Sequence, residues 1–177
     1  MTETSRSSMA AVLSVFMTVL MWLVIVVGGV FFLLFGVGYL TSLSGGDLST
    51  PVVSAAVDDL SANKLLTLLM SLLIFVPATV FICFQLRKIL ETLAMGDPFV
   101  PENASRLKRI AFTVAIMEFL RYVAISIVYL LPRSDDTFEG ASVVPNFATW
   151  VAFVALFVLA QVFQEGARLR AEEKMTI

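Results

Sequence analysis

Apolar residues in this chain do not alternate with polar ones. They run on in blocks. No charged side chain occurs between Arg6 and Asp47, and the core of that block, Ser14 to Leu40, has 27 residues. A second block, Leu65 to Leu86, lies between Lys64 and Arg87 and contains Pro77. A third, Ile110 to Leu131, is broken only by the charges of Glu118 and Arg121, and a fourth runs from Asn146 to Phe163. About 20 apolar residues suffice for a helix to cross a bilayer. No stretch has the period-two pattern of a barrel strand, and lipid offers no partner for open backbone groups. The pattern therefore predicts an all-α membrane protein: four transmembrane helices, at about 14–40, 65–86, 110–131 and 146–163, arranged as two hairpins in one domain. The first block is too long for the h-region of a cleaved signal peptide, usually about 7–15 residues, so a retained signal anchor is expected.

Charge orients the spans. Arg6, then Arg87, Lys88, Arg106, Lys108 and Arg109 of the connection 87–109, then Arg168, Arg170 and Lys174 of the tail 164–177, place nine basic residues on one side. The other two connections hold only Lys64 and Arg133, among Asp47, Asp58, Asp59, Asp135, Asp136 and Glu139. The positive-inside rule then puts both termini and the central connection in the cytosol.

Composition agrees with the blocks. Hydrophobic residues make up 59% of the 177 positions, and mean hydropathy is +0.93. A net charge of −2 argues against direct nucleic-acid binding. The chain has no histidine and one cysteine, Cys83. It therefore lacks the commonest general base and any multi-cysteine metal site. Nucleophile elbows, zincin motifs, phosphate loops and dinucleotide fingerprints are absent as well. No catalytic residue, metal or cofactor is expected, and the chain does not read as an enzyme.

The connections carry helix punctuation. Thr50 before Pro51 predicts a short surface helix over the outer connection, with Asp58 and Asp59 toward water; an irregular loop is the alternative. On the opposite side, helix two is expected to continue to about Met95, with Gly96 as C-cap and Pro98 enforcing the stop. Pro101 can open the next helix, with Glu102 in its first turn. Phe99, between them, either plugs back against the helices or presents an apolar knob to a partner. The tail continues helix four. Glu165, Arg168 and Glu172 stand at salt-bridge spacing there, and Val162, Gly166 and Leu169 form a stripe that could pack on the central connection.

Inside the membrane the sharpest candidates are Glu118 and Arg121. Glu118 lies about 12 Å into span three at 1.5 Å per residue, where a charge costs about 2.5–3.5 kcal/mol. Their spacing of three puts both on one face, so each can neutralise the other. The pair is either a structural ion pair or a polar site gripping a ligand beside a kink at Pro77. In span one, Gly29 and Gly36 share a face and are expected to let a second helix approach.

Two stretches carry a family resemblance. Gly96-Asp97-Pro98-Phe99, followed by Asn103, Leu107 and Ile110, resembles the central connection of the bacterial four-span family catalogued as domain of unknown function 2975. Phe163-Gln164-Glu165-Gly166, with Leu169, Glu172, Glu173 and the terminal Thr176-Ile177, resembles its C-terminus. The resemblance implies a multi-pass protein of the bacterial cytoplasmic membrane with no established activity. It also implies a neighbouring helix-turn-helix regulator as cytosolic partner. The leading expectation is a non-enzymatic scaffold or regulator. Its docking motif would comprise Gly96, Pro98, Phe99, Asn103, Gly166 and Leu169, with Arg106, Lys108 and Arg109 supplying charge. The alternative is a small transporter or ligand sensor built on Glu118 and Arg121, which would need a homodimer.

Overall fold

The computed structural model describes residues 3–45, 60–96, 99–130 and 146–175. These residues form four helices and, among them, no strand: α1 Glu3–Ser44, α2 Ala62–Ala94, α3 Pro101–Leu130 and α4 Phe147–Met175. All four are long and apolar enough to cross a membrane. In the most apolar window of α1, α2 and α4 only 6% of residues are buried. Helices apolar nearly all round cannot be hidden from water by so little packing, so their solvent must be lipid. The chain is a multi-pass membrane protein.

The helix ends follow local chemistry. Ser61 precedes α2 and its carbonyl accepts a bond from the Leu65 amide at 3.0 Å; Asn146 precedes α4 and its carbonyl accepts from the Thr149 amide at 3.1 Å. Serine and asparagine are favoured at such N-caps. Pro101 opens α3, where its missing N–H costs nothing. Gly96, just beyond α2, has φ +80° and donates its amide to the Leu93 carbonyl at 3.1 Å. A left-handed residue ends a helix in this way, and glycine adopts that conformation without steric penalty. The outer connection with Thr50, Pro51, Asp58 and Asp59, the loop with Arg133, the pair Asp97 and Pro98, and Thr176-Ile177 lie outside the described residues.

α3 is the most buried span, at 22% of its window. Its interior residues repeat every seven: Ala104, Ala111, Glu118 and Ile125 on one line, Leu107 and Val128 on the next. That is the seam of a helix packed against neighbours along its length. Arg121 falls on the second line, fourteen residues after Leu107 and seven before Val128.

The chain falls into two compact units. Unit 1 comprises Met1–Leu23, Ala78–Ile116 and Asn146–Ile177; unit 2 comprises Val24–Pro77 and Met117–Pro145. In unit 1 the core is Leu107, Ile110 and Ala160, with Leu86, Ile89 and Phe163 packed on it. In unit 2, α1 and α2 meet at Gly28. A methyl on Gly28 would lie 2.5 Å from Cγ2 of Val76, whereas Gly29 and Gly36 have nothing within 4 Å of theirs. The expected small-residue contact therefore exists but turns on Gly28, not on Gly29 and Gly36. One residue rotates the helix face by about 100° at 3.6 residues per turn, enough to move the contact off the expected pair. α2 runs unbroken through Pro77.

Candidate functional site

The central connection in unit 1 is built around Asn103. The side chain is 1% exposed. Its amide Nδ2 donates to Thr92 Oγ1 at 2.7 Å, and its Oδ1 accepts from Arg106 Nη1 at 3.0 Å. Arg106 Nη1 also donates to the Lys88 carbonyl at 2.9 Å, and Thr92 Oγ1 donates to the Ile89 carbonyl at 2.7 Å. The network ties the last turns of α2 to the first turns of α3. A buried amide left unpaired would cost about 1–3 kcal/mol, so the two helix ends are held together.

Phe99, just before α3, is seated against α4. Its ring lies 5.6 Å from the Phe163 ring, centroid to centroid. A methyl on Gly166 would stand 2.7 Å from Phe99 Cδ1. Gly166 is thus the notch in α4 that lets the ring in. Of the two alternatives for Phe99, it does plug back against the helices, yet 41% of its surface stays exposed. The expected stripe is corrected: Phe163 and Gly166 form the seat, whereas Val162 and Leu169 are more than half exposed. Phe163 lies three residues before Gly166, which puts it on the notch side of α4. The basic residues expected to supply surface charge are partly committed. Arg106 belongs to the Asn103 network, and Lys108 Nζ donates to Gln164 Oε1 at 2.7 Å. The tail pairs form as spaced: Arg168 meets Glu165 at 2.7 Å and Glu172 at 3.4 Å.

In unit 2, Glu118 is 3% exposed and carries the polar chemistry. Arg121 grips it with two bonds, Nη2 to Oε1 at 2.7 Å and Nε to Oε2 at 3.1 Å. Tyr122 adds its hydroxyl to Oε1 at 2.7 Å. A bidentate fork plus a phenol matches what a buried carboxylate needs. The Arg121 guanidinium also lies 4.9 Å from the Tyr122 ring centre. Sequence spacing pointed to the pair but not to Tyr122, although i+4 geometry could have found it.

A cavity of about 280 Å³ opens beside the pair. Phe35 from α1, Leu72 and Phe75 from α2, and Met117, Glu118 and Arg121 from α3 line it. Pro77, expected beside the pair, lines a different hollow of about 360 Å³ with Gly28 and Gly29. Leu72 borders both. Among the described residues no group of His, Cys, Asp and Glu could hold a metal ion.

Residues 50–177 match the family described as "Protein of unknown function (DUF2975)". No curated protein and no solved structure matches the chain.

Proposed function

The chain belongs to the DUF2975 family of proteins of unknown function, and from that footing we propose that it is a non-enzymatic regulator or scaffold of the bacterial cytoplasmic membrane. Its cytosolic face docks a soluble partner, a helix-turn-helix transcription regulator. Nine basic residues against two support a cytosolic position for both termini and for the connection 87–109.

One observation carries the reading. Asn103 ties the end of α2 to the start of α3, while Phe99 rests in its Phe163–Gly166 seat with 41% of its surface still exposed. A large aromatic held rigidly and half-covered has the character of an interface anchor. It loses little side-chain freedom on binding and brings a large apolar area. Asn103 and Gly166 act in this account as positioning residues, Phe99 and Leu169 as contact residues.

The test is co-purification of the helix-turn-helix protein with the full chain from detergent-solubilised membranes. Phe99→Ala is expected to abolish it while membrane insertion stays intact. Leu169→Ala is expected to weaken it. Retention of the partner by both variants contradicts the docking role.

A further inference from the structure

Unit 1 carries cations that neither the Asn103 network nor the Phe99 seat accounts for. Several basic residues there are answered by an oxygen. Arg87 meets Glu91 at 2.9 Å, Arg168 meets Glu165 and Glu172, and Lys108 donates to Gln164. Lys88 and Arg109 are not. Lys88 Nζ lies 4.3 Å from the centre of the Phe84 ring and has no carboxylate partner among the described residues. Arg109 is exposed, and its side chain has no hydrogen bond or ion pair among them. We propose that Lys88 and Arg109 together bind the phosphate of one anionic phospholipid, of the phosphatidylglycerol kind, in the outer groove between α2 and α3.

Depth is the first argument. Lys88 follows the apolar block Leu65–Leu86 by two residues, and Arg109 immediately precedes the block Ile110–Leu131. The bonds from Asn103 to Thr92 and from Arg106 to the Lys88 carbonyl set α2 and α3 level and antiparallel. Arg109, three residues beyond Arg106, therefore stands about one turn deeper than the Lys88 backbone. Helical side chains lean toward the N-terminus, and the Lys88 ammonium is drawn back over Phe84, one turn earlier. The two charges thus come within about one turn, about 5 Å, of a common depth at the edge of the hydrocarbon.

Facing is the second. At about 100° per residue round α3, Arg109 stands about 60° from Arg106, which reaches α2, and about 100° from Lys108, which reaches α4. It heads the line of exposed Phe112 and Ile116, a surface that lipid covers. On α2, Lys88 lies one turn before Thr92, which faces α3, and one turn after exposed Phe84. Both cations therefore border the α2–α3 groove from its lipid side.

Charge is the third. Cations at this depth meet lipid phosphates, and each basic residue near an anionic surface contributes about 1 kcal/mol, or about fivefold in affinity. The guanidinium fork matches two phosphate oxygens, and the ammonium over Phe84 adds a point charge. Glu91 is already held by Arg87, and Glu102, on the Arg109 face, lies seven residues or about 10 Å further out. A zwitterionic lipid brings its own ammonium and no net charge, so the uncompensated pair favours an anionic one.

Native mass spectrometry tests the site. The full chain in neutral detergent is titrated separately with phosphatidylglycerol and phosphatidylcholine of the same acyl chains. One phosphatidylglycerol should bind saturably, about thirtyfold more tightly than phosphatidylcholine, from about fivefold per cation. Lys88→Gln with Arg109→Gln should bring the ratio to within about twofold of unity, whereas Arg87→Gln with Arg168→Gln, which removes as much charge, should leave it unchanged. Should the first double variant not fold, Arg109→Gln alone decides: it touches an exposed, unpartnered side chain and should cut the ratio about fivefold. Equal binding of the two lipids overturns the proposal, and so does an equal loss in the two double variants, which marks diffuse charge. Competition by glycerophosphoglycerol, the deacylated headgroup, as strong as by intact lipid would assign the site to a soluble phosphodiester instead. Arg109→Gln that leaves the lipid ratio unchanged but weakens capture of the cytosolic protein would give that cation to the docking face. The docking reading stands or falls separately, because its test concerns Phe99 and needs no lipid preference.

Discussion

Asn103 and Glu118 are both polar side chains buried in α3, and they solve burial in different ways. Asn103 is satisfied by reaching out. It bonds Thr92, eleven residues earlier on α2, and Arg106 on its own helix. Glu118 is satisfied along its own helix by Arg121 and Tyr122, three and four residues on. The first arrangement fixes tertiary geometry, because it fails unless two helices are in register. The second draws a bidentate cation and a phenol from its own helix, beside a cavity. A buried polar group can thus act as a latch or as a lining, and the location of its partners separates the two.

The largest expected effect breaks the lining. Arg121→Ala leaves a nearly inaccessible carboxylate without its fork, and loss of one member of a buried pair costs about 3–5 kcal/mol. Denaturant unfolding in detergent should show it. Replacing both members by leucine removes the uncompensated charge and should restore stability to within about 1–2 kcal/mol of the starting protein. A double variant as unstable as Arg121→Ala would show that the pair also holds the fold.

A middle effect breaks the latch. Asn103→Ala removes the bonds to Thr92 and Arg106 and should cost about 1–3 kcal/mol. A cycle with Thr92→Val should give a coupling of about 0.5–3 kcal/mol, as residues in one network do. Additive single effects would mean that the 2.7 Å bond does not set the turn. Gly166→Val belongs to the same region. It overpacks the Phe99 ring, at about 1–3 kcal/mol, and should raise protease access to the connection.

Two glycines in α1 separate a tight contact from open space. Gly28→Ala meets the stiff Val76 side chain and should destabilise by about 1–3 kcal/mol. Gly36→Ala meets nothing within 4 Å and should stabilise by up to about 1 kcal/mol through helix propensity. The smallest effect is expected at Arg168→Ala, where exposed pairs contribute about 0–1 kcal/mol.

These contrasts track what was legible in the sequence. Spans, helix ends and local pairs were readable, because each depends on residues close together in the chain. The uncharged run from Ser14 to Leu40, Gly96 as a C-cap, Pro101 as a helix opener and Glu118 with Arg121 all fall in that class. Contacts set by a second helix were not. Spacing named Gly29 and Gly36, yet Val76 lies against Gly28. The tail stripe was placed on Val162, Gly166 and Leu169; Gly166 does receive Phe99, but its companion in the seat is Phe163. Asn103 was read as a contact residue because its partner Thr92 lies across a turn that periodicity does not describe. A seven-residue reading of α3 would have placed Glu118 on the buried seam, in line with Ala104, Ala111 and Ile125.

The most direct test of the account is the side of the membrane on which the Gly96 turn lies. Met95, largely exposed at that turn, is replaced by cysteine in a Cys83→Ser background, and whole cells are treated with a membrane-impermeant maleimide. Labelling only after permeabilisation is the predicted result. Labelling of intact cells would put the turn outside and remove both the docking face and the orientation on which it rests.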